Sequence, residues 1–341
     1  MPLLFHRHCK GAIKCNTEKN RTGYAAPLDT LAQLGTNDLR GGSKAPEVEP
    51  LNALKKRARA KYYGRAVATR LAELRGPLEK SYRNTIYCAN VLEQQGDKLT
   101  GRYCNARWCP VCNRIRTAKL IAGYGPTLAT LPNPHFVTLT IPNVPAPDLR
   151  AAIEAMIKTA QRIQDAYKKR HQRGAQGWQL VGLRKLECTH NSKVETFHPH
   201  FHYIVSGEAA ARALVADWLR AMPAASHKAQ DVRQADTGAG KELFKYFSKL
   251  VTQTSDGRRV TNTPALDVIF QAMKGKRVFQ PIGIAKVPED IEALQSVQTE
   301  IAPDHQYWEW LNSDWASIST GEYLTGNVPS PAMERLLADI L

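Results

Sequence analysis

One short stretch, TFHPHFHYIVSG at residues 196–207, constrains this chain more than any other. Its β-branched and aromatic residues favour an extended strand. Side chains alternate along a strand, so His198, His200 and His202 share one face, while Phe201, Tyr203 and Val205 share the other. The second face suits a core. The first carries imidazoles where a buried strand would carry valines. Two neutral imidazoles two positions apart form a bite for a divalent cation. A single histidine on an open sheet face would be incidental, whereas three beside a carboxylate favour a cation.

That carboxylate is expected from the preceding strand, WQLVGLRKLECTH (178–190), joined to the histidine strand by the polar loop NSKVET. If the two pair as a hairpin, a register that sets Glu187 across from His200 or from His202 brings it to the histidine face. A slip of one residue turns it away. The candidate cation ligands are therefore His200, His202 and Glu187. Such a set can also hold iron in an oxygenase.

The rest of the chain supplies alternating helices and strands. HFVTLTI (135–141) and AQDVRQ (229–234) are predicted strands, and 147–172 and 208–222 predicted helices, the first with the apolar stripe Ile153, Met156, Ile157, Ala160, Ile163 and Tyr167. Interleaving of this kind predicts an α+β sandwich with helices against one sheet face. GKELFKYFSKLVT (240–252) is expected to form one more helix. Its apolar stripe is Leu243, Phe244, Phe247, Leu250 and Val251, leaving Glu242, Tyr246 and Lys249 as an outer ridge with Lys245 beside it. Tyr246 fits an activated nucleophile there, and equally a surface tyrosine among ion pairs.

Two basic features precede the sheet. Residues 51–76 form a basic helix, whose Arg57, Arg59 and Lys61 are expected to contact phosphates. Four cysteines follow, Cys88, Cys104, Cys109 and Cys112. The Cys-Pro-x-Cys step is a tight knuckle suited to tetrahedral Zn²⁺. Arg107, Arg114 and Arg116 surround it and would contact phosphates rather than bases. The net charge of +16 points to nucleic acid as partner. No apolar run is long enough to span a membrane, and the N-terminus lacks a signal peptide's apolar core. A cytoplasmic location with reduced thiols is expected, so the seven cysteines are expected as ligands or buried thiols. His6, His8, Cys9 and Cys15 are read as incidental residues of a tail.

Together HFVTLTIPNVP, GLRKLECTHN, FHPHFHYIV and KELFKYFSK, across roughly residues 86–255, resemble the plasmid rolling-circle replication initiators (Rep proteins) of the HUH endonuclease superfamily, single-tyrosine class. The resemblance implies a ferredoxin- or RRM-like antiparallel sheet with helices packed on it, plus a small zinc-binding module. It implies Mg²⁺ or Mn²⁺ on His200, His202 and Glu187, and Tyr246 as nucleophile. Glu242 would activate the water of the closing cleavage, and Lys249 and Lys245 would flank the tyrosine. It further implies a plasmid double-strand origin, single-stranded at the nick, as DNA partner, and a host helicase and DNA polymerase as protein partners. Homo-oligomerisation is left open. The expected organisation is a tail (1–50), a basic helical arm (51–85), a four-cysteine zinc module (86–125), the catalytic domain (130–258) and a C-terminal extension (259–341). Competing readings are a single-strand transposase or relaxase of the same chemistry, and a zinc-dependent DNA-binding protein without catalysis.

Overall fold

The computed structural model describes residues 50–340, apart from 96–97, 175–178, 247–248, 254–257 and 288–304. The expected tail and linker (1–49), with His6, His8, Cys9 and Cys15, lie outside the described residues, as does Phe247. The chain begins with helices α1 (Pro50–Glu73) and α2 (Glu79–Ile86), the hairpin β1 (Val91–Gln95) and β2 (Lys98–Gly101), and helix α3 (Pro110–Ala129). Then come β3 (Pro134–Thr140), α4 (Leu149–Gln172), β4 (Gly182–Asn191), β5 (Thr196–Ser206), α5 (Glu208–Ala221) and β6 (Asp231–Gln234). Last are α6 (Thr237–Leu243), β7 (Thr252–Gln253), β8 (Arg259–Val260), α7 (Thr263–Met273), β9 (Phe279–Ile282), β10 (His305–Leu311), β11 (Asp314–Ser317) and α8 (Pro331–Ala338).

The fold is α+β with antiparallel sheets, as expected. The central sheet runs β6-β3-β5-β4-β9, with antiparallel neighbours throughout. One face of it is apolar. Phe201 meets Trp218 of α5 edge to face at 5.9 Å, and the Trp218 indole donates to the Thr140 carbonyl at 3.1 Å. Of the stripe predicted for α4, Ile153, Met156, Ala160, Ile163 and Tyr167 are buried in the same core as Leu183, Leu186 and Ile204, and Ile157 is partly buried against it. Near the start of β4 the strands approach too closely for any side chain: a Cβ on Gly182 would lie 2.0 Å from the Ile204 carbonyl oxygen.

Three expectations change. First, the helix expected over 240–252 ends at Leu243. Asp236 caps its start by accepting from the Ala239 amide at 2.8 Å. Just past its end, Phe244 stacks on Phe279 of edge strand β9 at 5.6 Å. Tyr246 therefore follows the helix rather than riding on it, and no ridge joins it to Glu242 and Lys249.

Second, α1 is not a solvated arm. Ala58, Ala60, Tyr63, Val67, Leu71 and Ala72 are buried, because the helix bridges the main core and a second, smaller one. Third, the described residues after 259 supply strands to the sheets instead of forming a separate extension. β9 extends the central sheet, while β10 and β11 pair with the cysteine hairpin in the order β11-β10-β1-β2. Trp308, Trp310 and Trp315 fill the small core with Cys88, Cys109 and Cys112. The Trp315 indole donates to the Ala89 carbonyl at 2.8 Å, and buried Asp314 accepts from the Thr325 amide and hydroxyl and the Asn327 amide.

Candidate metal centre and cysteine knuckle

The hairpin register is the one that the cation site needs. Glu187 stands directly opposite His200, and Lys185 opposite His202. Parity then brings Lys185, Glu187, His200 and His202 to the face of the sheet away from Trp218. The Nε2 atoms of His200 and His202 approach the Glu187 carboxylate at 3.9 and 3.7 Å, and one donor atom from each residue lies within 4.8 Å of the others. The far side of each ring is fixed. His200 Nδ1 donates to the His198 carbonyl at 3.1 Å, and His202 Nδ1 bonds the Thr138 hydroxyl at 3.2 Å. Orientation of this kind leaves Nε2 of His200 free as an electron-pair donor.

His198 does not join the set. The Thr140 hydroxyl donates to the Ile141 carbonyl, so it accepts from His198 Nε2 in a very short contact. This histidine ties β5 to β3.

The three ligands hold the protonation states that a cation needs. Burial pushes the Glu187 carboxyl up, but Lys185 first, then His200 and His202, outweigh it and hold it down at about 2. Burial lowers His200 and His202, the latter to about 4, so both imidazoles are neutral at pH 7. Two neutral imidazoles and one carboxylate on a single face fit Mg²⁺, Mn²⁺ or a transition metal.

Lys185 was not anticipated. Its side chain is 0% exposed, with Nζ 2.7 Å from Glu187 Oε2 and 3.5 Å from the Glu242 carbonyl. A signal was available, since Lys185 lies two residues before Glu187 on the same strand and must share its face. Glu242 comes near as well through that carbonyl, whereas Lys249 is exposed. Glu242 is also ion-paired with Lys245 in a very short contact.

Tyr246 points elsewhere. It is half-buried, and its hydroxyl donates to the Arg107 carbonyl at 3.2 Å, on the loop leading into the knuckle. Burial, then the neighbouring Cys109, pushes the phenol well above its ordinary pKa, opposed by Arg116. The structure thus gathers His200, His202, Glu187, Lys185 and Glu242, and leaves the Tyr246 hydroxyl against the cysteine module.

The four thiols of Cys88, Cys104, Cys109 and Cys112 do converge, all within 4.8 Å of one another, with Cys88 and Cys112 Sγ 3.4 Å apart. Hydrogen bonds from the other three thiols lower Cys104, whereas burial raises Cys109. Four crowded sulfurs favour several thiolates only when a cation offsets their charge, so the set fits tetrahedral Zn²⁺.

The basic residues divide. Lys61 is 3% exposed and donates to the Cys88 carbonyl at 2.6 Å and to Asn90 Oδ1 at 2.7 Å, 5.1 Å above the Trp310 ring. Arg116 is also buried, and one of its terminal nitrogens bonds both the Asn105 carbonyl and Asn105 Oδ1. These two brace the knuckle instead of facing solvent. Arg57, Arg59, Arg107, Arg114 and Lys245 remain half-exposed. Burial, then Arg57, lowers Arg114 to about 10.

Comparison with known proteins adds the relationship. A family model described as "Replication protein" matches residues 97–209, a span holding Cys104, Cys109, Cys112, Glu187, His200 and His202. Over part of its length the chain is similar to Rep replication proteins. It is 30% identical to the "Protein rep" of Bacillus amyloliquefaciens over 198 residues, 53% of this chain and 52% of that one. It is 29% identical over 167 residues to the "Protein rep" of Streptococcus pneumoniae serotype 2, 45% of this chain and 50% of that one. The chain thus spans about half the length of these Rep relatives. The match to the family model ends before Glu242 and Tyr246. No solved structure matches. Among the described residues, no helix is long and apolar enough to cross a membrane.

Proposed function

We propose that this protein initiates plasmid rolling-circle replication by nicking one DNA strand at an origin, as an HUH endonuclease with a single catalytic tyrosine. The observation that carries the reading is the convergence of His200, His202 and Glu187 on one sheet face, in a chain related to Rep proteins. The order β3-α4-β4-β5-α5-β6 is the β-α-β-β-α-β arrangement of ferredoxin-like folds, which supports the HUH assignment. His200, His202 and Glu187 would hold Mg²⁺ or Mn²⁺, and Cys88, Cys104, Cys109 and Cys112 would hold structural Zn²⁺. The divalent cation, when bound, would supply Lewis-acid polarisation of the scissile phosphate.

The chain's own residues do the rest. The Tyr246 phenolic oxygen forms the bond to phosphorus as the bond from phosphorus to the 3′-oxygen breaks. The proton given up by the phenol is matched by the one gained by the departing 3′-hydroxyl. A 5′-phosphotyrosyl ester and a primer terminus result, the latter for a host polymerase working with a host helicase. Glu242 takes a proton from water when the ester is finally hydrolysed. Lys249 and Lys245 bear positive charge near the phosphate, and the half-exposed Arg57, Arg59, Arg107 and Arg114 hold the duplex. For attack, Tyr246 must leave the Arg107 carbonyl. One neutral hydrogen bond contributes only about 1 kcal/mol net, which DNA binding can offset.

A second reading, DNA binding without catalysis, is favoured by that same Tyr246–Arg107 bond. One experiment separates the two. Full-length protein is incubated with supercoiled plasmid carrying its origin and Mn²⁺, and the DNA-linked peptide is identified by mass spectrometry. An adduct on Tyr246, lost in Tyr246→Phe, is expected. Nicking that survives Tyr246→Phe, or an adduct on another residue, overturns the mechanism.

A further inference from the structure

The charges around the cation site do not balance for a dication, and Lys185 is the reason. At the site itself Lys185 is paired to Glu187, and Lys245 to the neighbouring Glu242. The one carboxylate of the ligand set is therefore already neutralised before any metal arrives. The Lys185 ammonium is wholly buried and takes Oε2 of the only carboxylate in the ligand set. A dication bound by Glu187 would lie within a few ångströms of that ammonium, with little water to screen the repulsion. Nucleic-acid phosphate is the missing negative charge.

We propose that Lys185 is a positioning residue that makes cation loading conditional on DNA: its ammonium keeps Glu187 neutralised in the free protein, and turns to the incoming phosphate when DNA and cation bind together. This inference rests on the HUH reading of the site. Coupling of this kind is reciprocal, so the cation must tighten DNA as much as DNA tightens the cation. Its benefit is chemical economy: a protein without DNA would carry no loaded nuclease site.

The test uses Mn²⁺ and full-length, zinc-loaded protein. Free Mn²⁺ is followed by electron paramagnetic resonance, with and without a saturating mixed-sequence single-stranded oligonucleotide. In the wild type, DNA is expected to tighten Mn²⁺ by about tenfold or more, within the usual range of coupling between sites. In Lys185→Met, Mn²⁺ should bind the DNA-free protein about tenfold tighter, and the gain from DNA should shrink. Lys185→Arg, which keeps the charge, should retain wild-type weakness without DNA. A role in folding alone would not tighten Mn²⁺. Equal Mn²⁺ affinity with and without DNA in the wild type overturns the inference, and this arm needs no variant to fold. Unchanged or weaker DNA-free affinity in folded Lys185→Met overturns it too. If Glu187→Gln leaves Mn²⁺ binding intact, the cation-site reading fails instead, so the two failures are distinguishable.

Discussion

Replacing Glu187 by Gln should damage the central sheet even with no metal or DNA present. The substitution keeps shape and removes charge, leaving the Lys185 ammonium at 0% exposure with the Glu242 carbonyl at 3.5 Å as its remaining charge-neutral partner besides the new amide. Breaking a buried ion pair from one side costs about 3–5 kcal/mol. The glutamine oxygen can still accept one hydrogen bond, which favours the lower end, about 3 kcal/mol. Chelator-treated wild type and variant would be compared at pH 7 by urea unfolding, and by hydrogen exchange at the amides of β4 and β5. The double variant Lys185→Met with Glu187→Gln should recover most of the loss, because an apolar pair replaces a buried ionic one. The sign with pH is fixed. A carboxyl depressed in the fold contributes fully above about pH 4.5, and its contribution disappears as pH falls through about 2. A cost below about 1 kcal/mol at pH 7, or a double variant whose loss is the sum of the single losses, would refute the assignment of Lys185 and Glu187 as a buried pair.

Two other outcomes are expected. His202 is held neutral by burial, its pKa falling from 6.5 to about 4, and His200 shifts the same way, so the unfolded chain takes up protons first. Stability of the metal-free protein should thus be complete above pH 6.5 and decline as pH falls toward 4; thermal melting across that range checks it. Removing zinc, by chelation or by Cys112→Ser, should loosen the small core shared with Trp308, Trp310 and Trp315 while the central sheet persists. A red shift of tryptophan emission without loss of exchange protection in β5 would report this.

Sequence pattern made the site legible where it depended on period. Alternation along β5 put His200 and His202 on one face, and the short polar loop after β4 limited the register to a few choices, one of which the structure adopts. The same parity would have exposed Lys185. The end of α6 was not legible. Helical spacing of Leu243, Phe244, Leu250 and Val251 suggested four turns, but Phe244 packs on Phe279, a partner 35 positions away that no local window contains. Charge misled in a similar way. Lys61 and Arg116 looked like phosphate contacts because basic residues usually face water, yet each is buried against the cysteine module.

What the sequence determined by itself is the chemistry of local repeats: the histidine face, the Cys-Pro-x-Cys turn and the apolar stripe of α4. Each follows from the fixed geometry of a strand, a turn or a helix over a few residues. Only tertiary structure decided which donors meet. Trp310 closes over Lys61 from 249 positions along the chain, and the Tyr246 hydroxyl turns to Arg107, 139 positions back. The physical reason is that burial belongs to the assembled core. A side chain's charge state, partner and direction are set by whichever distant elements exclude water from it, and local spacing carries no information about those.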